Sequence, residues 1–152
     1  MKRLLGIDFG RVRIGLAISD ELGLLAHPLE TLRASNAREL ARRISAIVHE
    51  KDVERVVVGL PRNMDGSFGS AANEVLAFVE KLRAHLPCPV VTWDERLTTV
   101  AANRALREAG RTTRTTRECV DQVAAQIILQ GYLDQPQTQV ETHPPPDLSS
   151  AE

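Results

Sequence analysis

Three acidic residues lie where apolar segments of the sequence end or are interrupted. Asp8 follows the apolar run RLLGI, Glu95 follows the run PVVTW directly after Asp94, and Asp121 interrupts the pattern CVDQVAAQIIL. An unpaired buried carboxylate is costly, so each needs a cation or a shifted pKa. Mg²⁺ or Mn²⁺, which prefer hard oxygen ligands, would remove the repulsion within such a group. Because two such ions can stabilise the attacking and leaving oxygens in phosphodiester hydrolysis, the three residues predict a metal-dependent nuclease.

Asp8 and Asp121 also have ordinary structural explanations. Asp8 could close the turn in DFG and form an ion pair with Arg11 or Arg13. Asp121 is expected in the first turns of the last helix, where the positive end of the helix dipole favours a carboxylate. Neither residue is diagnostic by itself, so the hypothesis depends on all three carboxylates converging.

The pair Asp94 and Glu95 offers two carboxylates at the end of one predicted strand. Consecutive residues on a strand point to opposite faces of the sheet, so one of the two faces the site, and we predict that it is Glu95. The alternative is a surface ion pair between Glu95 and Arg96.

Arginine supplies most of the positive charge. The net charge is −1, and 16 of the 19 basic residues are arginine. Residues 96–117 contain six arginines and one acid, Glu108. A planar guanidinium suits phosphate geometry, although arginine-rich faces also occur on helices that bind no ligand. The polar, Gly-rich loop RNMDGSFGS, which could equally be a plain surface loop, adds one polar candidate. The residues predicted to bind substrate are Arg11, Arg13, Asn63, Arg96, Arg111 and Arg114.

The order of apolar runs and helical patterns predicts an α/β fold. Three strands come first, and the whole order is β-β-β-α-β-α-β-α-α, which implies a mixed five-stranded sheet with helices on both faces. The parallel strands are those ending at Asp8, Pro61 and Glu95. Sites in such sheets form outside the carboxyl ends of the parallel strands, so this topology brings the acidic residues to one edge.

The helix starts are predicted from capping residues. Asn36, with Glu39 three residues on, resembles a capping box, and Ser70 is the predicted N-cap of the second helix. A third helix is predicted over 98–110, ending at Gly110. Thr115 is the predicted N-cap of the last helix, in capping-box spacing with Glu118.

Length and composition bound the organisation of the chain. Its 152 residues predict one folded domain, residues 1–134, followed by a polar, Pro-rich tail, 135–152, that we expect to be disordered. No segment is typical of a signal peptide or a membrane span, which predicts a cytoplasmic protein. Cys88 and Cys119 are isolated and do not indicate a zinc site or a disulfide framework.

Four ordered motifs carry a family resemblance. The segments GIDFGRVRIGLAISD, VVVGLPRNMDGS, DERLTT and VDQVAAQIILQGYL resemble the YqgF (RuvX) family, a Holliday-junction-resolvase-like group also described as pre-16S rRNA nucleases. The match covers roughly Leu4 to Leu133. The resemblance implies an RNase H-like fold and a divalent-metal nuclease, with Asp8, Glu95 and Asp121 as its acidic set. One departure is RTTRTTRE, where threonines dilute a run that is more basic in the family.

Several functions fit these residues. Processing of the 5′ end of a small-subunit rRNA precursor is favoured over Holliday junction resolution, because a resolvase needs two sites in a symmetric dimer and no dimerisation helix is evident. A non-catalytic RNA- or ribosome-binding module would share every feature. A nucleotide-phosphate enzyme related to sugar kinases or chaperone ATPases is disfavoured, because those proteins need two duplicated domains.

Overall fold

The computed structural model describes residues 3–34, 36–63, 65–97 and 114–135, except for the side chains of residues 97 and 114–120. The described elements are β1 (Arg3–Phe9), β2 (Arg13–Ser19), β3 (Ala26–Arg33), α1 (Ala37–Glu50), β4 (Val53–Leu60), α2 (Ser70–His85), β5 (Val90–Asp94), a single 3₁₀ turn (Glu95–Leu97) and α3 (Arg114–Leu133). Within these ranges, no helix combines the length and apolar character that crossing a bilayer requires. The predicted helix 98–110 and the tail 136–152 lie outside the described residues.

The sheet is mixed and five-stranded, as predicted, with the order β3-β2-β1-β4-β5. β1 is antiparallel to β2 and parallel to β4, and β5 is parallel to β4. The carboxyl ends of β1, β4 and β5 therefore lie at one edge, because parallel strands share a direction. This edge is where the first motif, the RNMDGS loop and the DERLTT motif leave the sheet.

One face of the sheet packs against α1 and α2. Strand side chains alternate between faces, so alternate residues of β1, β2 and β4 line this core. The fully buried aliphatic residues of this face include Leu5, Ile7, Ile14, Leu16, Ile44, Val56, Val58 and Leu82. This face holds most of the large apolar side chains of the described residues.

The opposite face packs against α3. Its buried residues include four alanines, Ala17, Ala26, Ala124 and Ala125, together with Ile128 and Leu129 from the helix. Small residues let a helix backbone approach a strand closely, and the backbone of α3 lies directly on the strands of this face. The sheet is thus covered by helices on both faces, as the sequence predicts.

The predicted capping residues have different outcomes. Asn36 is the N-cap of α1, and its Oδ1 accepts a hydrogen bond from the backbone N–H of Arg38 at 2.8 Å. The prediction for Ser70 is wrong: Gly69 holds the extended N-cap backbone, and Ser70 is the first helical residue. Glycine and serine are both accepted at this position, so their order in the sequence does not decide between them.

Two other boundaries also differ from prediction. β5 ends at Asp94, and Glu95 begins the 3₁₀ turn rather than extending the strand. The helix α3 begins at Arg114, so Thr115 lies inside the helix and the prediction that it is the N-cap is wrong. The low helix propensity of threonine favoured a loop here, yet the helix continues through this segment.

Candidate active site

The three predicted carboxylates are buried. Asp8, Glu95 and Asp121 are each 3% exposed, and the only other buried polar or charged side chain among the described residues is Ser19. Burying a carboxylate costs free energy unless a hydrogen bond or an opposite charge compensates. Each of the three carboxylates therefore requires hydrogen bonds or an opposite charge close to it.

The position of Asp121 is fixed by a glycine on β2. Gly15 pairs with Asp8 across the β1–β2 ladder. A Cβ atom added at Gly15 would overlap the backbone carbonyl oxygen of Asp121. The main chain of α3 at Asp121 therefore lies directly on β2, beside Asp8.

A second glycine fixes the position of Glu95. A Cβ atom added at Gly59 would lie 2.6 Å from Glu95 Oε1, so this carboxylate lies over the backbone of β4. Ile7 pairs with Val58 in the parallel β1–β4 ladder, which makes Asp8 and Gly59 the next residues on adjacent strands. Neighbouring strands are about 4.8 Å apart. The structure thus brings the three predicted carboxylates together on the α3 face, at the edge where β1 and β4 end.

Asp121 is bound by an arginine from the first motif. Arg13 Nε donates to Asp121 Oδ2 at 2.8 Å, and the side chains are 26% and 5% exposed. Asp121 is the eighth residue of α3, beyond the first turn in which the helix dipole acts, so the dipole does not account for its burial. Arg13, which is predicted to bind substrate, forms an ion pair with one of the three carboxylates.

Asp94 and Glu95 diverge, as predicted, although Glu95 lies in the 3₁₀ turn and not in β5. Asp94 Oδ2 accepts from Arg96 Nη2 at 2.7 Å and from Arg62 Nη1 at 3.3 Å, on the outer side of the edge. Hydrogen bonds from Arg96 hold the pKa of Asp94 below its usual range, and Asp94 raises the pKa of the Arg96 guanidinium. Arg96 therefore lies in an ion-pair cluster with Asp94 and Arg62, directly after Glu95 in the chain.

Asn63 forms part of an internally bonded loop. Its Nδ2 donates to Ser67 Oγ at 2.9 Å, and its backbone oxygen accepts from Gly66 N at 2.8 Å. Ser67 hydrogen bonds hold the pKa of Asp65 below its usual range. These hydrogen bonds connect the described residues of the loop, and the backbone oxygen of Asn63 is also 3.5 Å from Arg96 Nη1.

The other predicted substrate-binding arginines are not grouped with the carboxylates in the described structure. Arg11 forms an exposed ion pair with Glu74 of α2, with Nη2 3.1 Å from Oε1, on the other side of the sheet. Arg111 lies outside the described residues, as does the side chain of Arg114. Cys88 is half-buried, and burial raises the pKa of its thiol. The Cys119 side chain is not described.

Two residues of this edge were missed in the sequence. Arg62 and Phe68 lie in the same loop as Asn63, and the Arg62 guanidinium carbon is 4.6 Å from the centre of the Phe68 ring. The only available signal was an aromatic residue within a polar, Gly-rich loop, which by itself indicates no ligand.

The donor set suits a hard cation chemically. Carboxylate oxygens are the ligands that Mg²⁺ and Mn²⁺ prefer, and all three side chains are buried on one face. In the part of the chain that the structure describes, no three His, Cys, Asp or Glu side chains are arranged closely enough to hold an ion as they stand. Ligation by all three would require side-chain rearrangement, including movement of Asp121 relative to Arg13.

A mixed sheet in this order, with buried carboxylates at the carboxyl ends of its parallel strands, defines an RNase H-like α/β protein. The structure of T. thermophilus RuvC in complex with a Holliday junction substrate is similar, with a TM-score of 0.50, 19% identity, and coverage of 93% of this chain and 98% of that chain. This similarity supports the fold alone.

Sequence comparison identifies the family. Residues 2–135 match the model described as RuvX, Holliday junction resolvase, and the chain belongs to that family. A relative from Moorella thermoacetica named "Putative pre-16S rRNA nuclease" is 49% identical over 87% of this chain and 94% of its own length. Another with the same name, from Halalkalibacterium halodurans, is 47% identical over 89% of this chain and 98% of its own length. The predicted fold class and family are confirmed.

Proposed function

We propose that the protein is a nuclease that hydrolyses phosphodiester bonds in nucleic acid, with a precursor of 16S rRNA as its substrate and Mg²⁺ or Mn²⁺ as its cofactor. The observation that carries the proposal is the convergence of Asp8, Glu95 and Asp121, buried at one sheet edge in a chain of the RuvX family. The names of the relatives favour ribosomal RNA as the substrate.

In this proposal, the carboxylates of Asp8, Glu95 and Asp121 hold the cation. Asp8 is central because it lies on β1, between Gly15 of β2 and Gly59 of β4. When bound, the cation would supply Lewis-acid polarisation of the phosphodiester and neutralise its developing charge.

Arg13 has two successive roles in the proposal. Without a cation, its guanidinium compensates the buried charge of Asp121 at 2.8 Å. A divalent cation would take over that compensation, which frees the guanidinium to contact a phosphate oxygen of the substrate. Arginine suits this role because its planar donors match both carboxylate and phosphate.

The remaining basic residues are proposed to position the strand. Arg96 lies one residue after Glu95 and is held by Asp94, and it is proposed to contact a phosphate at this edge. The ion pair of Arg11 with Glu74 is exposed and therefore weak, so a phosphate can replace Glu74. Arg111 and Arg114 are proposed to contact the strand farther away, and Asn63 to order the loop beside it.

The proposal is tested with matched carboxylate-to-amide variants. Asp8→Asn should lower the cleavage rate by more than the roughly 10- to 100-fold that loss of an outer partner of a metal ligand causes. Asp52→Asn should leave the rate unchanged, because Asp52 is exposed before β4, at the opposite sheet edge, and its positive φ of 53° suits asparagine. Equal cleavage by Asp8→Asn and the parent would refute the proposed site.

The same assay separates the substrates. The purified protein is given a 5′ precursor fragment of 16S rRNA or a four-way DNA junction, with Mn²⁺, Mg²⁺ or EDTA. We expect cleavage of the RNA that EDTA abolishes. Cleavage of the junction alone, by a protein whose mass in solution is that of a dimer, would replace the RNA assignment with a resolvase. Binding of RNA without metal-dependent cleavage would identify a non-catalytic binding module.

A further inference from the structure

Phe68 differs from the other aromatic residues of the chain in its exposure. The chain contains three Phe, one Trp and one Tyr, all within the described residues. Phe78, Trp93 and Tyr132 are buried and Phe9 is half-buried, whereas Phe68 is 50% exposed. A single exposed apolar residue is common, so exposure alone would mean little. The contacts around Phe68 give it significance.

The ring is held in place by Arg62. The guanidinium carbon of Arg62 lies 4.6 Å from the ring centre, which is a cation–π contact. The same guanidinium donates from Nε to Gly66 O at 3.1 Å and from Nη1 to Asp94 Oδ2 at 3.3 Å. Because Arg62 is held by several hydrogen bonds, its position is fixed independently of Phe68, and the cation–π contact restrains the ring.

This anchor also connects Phe68 to the carboxylate site. Asp94, which binds Arg62, directly precedes Glu95, whose Oε1 lies over Gly59. The ring is therefore attached through two contacts to the same sheet edge as the three carboxylates. The ring and the carboxylates therefore belong to the same edge of the sheet, the one at which β4 and β5 end.

The charges near the ring do not favour an anionic group over a neutral one. Arg62 and Arg96 are offset by Asp94, and Asp65 also contributes to the field at Arg96. The two positive and two negative side chains sum to zero. The flat, half-exposed ring is therefore the feature that can contact a ligand. Aromatic side chains bind unpaired bases by stacking, irrespective of sequence.

We propose that Phe68, supported by Arg62, stacks an unpaired base of the substrate strand beside the carboxylate site. This inference rests on the proposed nuclease function and adds to it that the strand is single-stranded at this point. Bases within a duplex are already stacked on their neighbours, so the site selects unpaired segments.

The test measures binding of a short single-stranded RNA that contains 2-aminopurine at successive positions, in EDTA to prevent cleavage. The fluorescence of 2-aminopurine is quenched where the base stacks. Phe68→Ala should weaken binding about 5- to 150-fold, the range that follows from losing one base–aromatic stack, and should abolish quenching at one position. Phe68→Tyr should retain both. Leu22→Ala removes a side chain that is 67% exposed in the β2–β3 loop, at the opposite edge, and should change neither.

Two further measurements distinguish stacking from other effects. An abasic nucleotide at the quenched position should weaken binding to the parent protein and cause no further loss in Phe68→Ala, because both changes remove one interaction. The loss in Phe68→Ala should also persist at high salt, unlike phosphate contacts. Equal affinity of Phe68→Ala and the parent, or an effect of Phe68→Ala only on self-association, would overturn the stacking site. Failure of the parent to bind RNA in EDTA and to cleave it with Mn²⁺ or Mg²⁺ would instead overturn the proposed function.

Discussion

The face of the sheet covered by α1 and α2 and the face covered by α3 differ in the size of the side chains that they bury. The first is filled by leucine, isoleucine and valine from β1, β2 and β4 and from both helices. The second presents Gly6, Gly15 and Gly59 to α3, and a Cβ atom at any of them would clash with the helix or with Glu95. All three buried carboxylates are on this second face.

Because of this difference, one face of the sheet contributes most of the stability and the other face carries the candidate active site. Large aliphatic side chains contribute most of the hydrophobic free energy, because that term scales with buried apolar area. Glycine contributes none of it, but it lets the α3 backbone lie on β2 and leaves room for Glu95 over β4. The first face therefore supports the fold, and the second arranges the polar site.

The largest effect is expected from truncating one buried isoleucine on each face of the sheet to alanine. Ile44→Ala and Ile128→Ala both truncate a fully buried isoleucine, so each should lower the free energy of unfolding by about 2–5 kcal/mol. Cleavage should fall only in Ile128→Ala, because Ile128 packs on Gly59 beside Glu95. Urea denaturation and cleavage rates, measured at a temperature where both variants are folded, provide the comparison. Equal loss of cleavage in both variants would remove the distinction between the faces.

A smaller effect is expected from adding one methyl group to the sheet face that α3 covers. Gly15→Ala places a Cβ atom against the backbone of Asp121, which cannot rotate away, and should cost about 1–3 kcal/mol and reduce cleavage. In Gly69→Ala the new Cβ meets only Asn63 atoms at 3.5 Å or more, so the cost should be below about 1 kcal/mol. Thermal unfolding of both variants measures the difference. Full stability and activity of Gly15→Ala would show that close approach of α3 is not required.

A third effect, similar in size to the second, tests the electrostatic part of the comparison. Arg13→Gln leaves the buried Asp121 without its guanidinium and should cost about 1–3 kcal/mol in EDTA. Saturating Mn²⁺ should recover most of that loss, because the cation compensates the same carboxylate. Unfolding in urea, with and without Mn²⁺, measures both values. If Mn²⁺ stabilises the parent and Arg13→Gln equally, Arg13 and the cation do not compete for Asp121.

The fold could be predicted because its signals are local and strong. RLLGIDF and VERVVVGLP are nearly continuous apolar runs, typical of strands buried on both faces, and the strand order follows from alternation with helices. Helix starts were less certain: Gly69 and Ser70 are both good N-cap residues, and only the backbone distinguishes them.

The acidic residues of the site could be predicted, but their partners could not. Glu95 and Asp94 point in different directions, as expected, although Glu95 begins the 3₁₀ turn instead of continuing β5. Arg13 and Asp121 are 108 residues apart, and their pairing depends on how α3 lies across β2. Arg62 likewise reaches Asp94 over 32 residues. Sequence spacing contains no information on such contacts, because packing of the completed sheet determines them.

The most direct test of the account is anomalous diffraction from crystals of the protein grown with Mn²⁺. We predict a manganese peak bounded by the carboxylates of Asp8, Glu95 and Asp121, with the Arg13 guanidinium displaced from Asp121, and no such peak in Asp8→Asn. An empty edge with Arg13 still bound to Asp121, at a Mn²⁺ concentration that supports cleavage, would contradict the claim that these three residues converge to bind a cation.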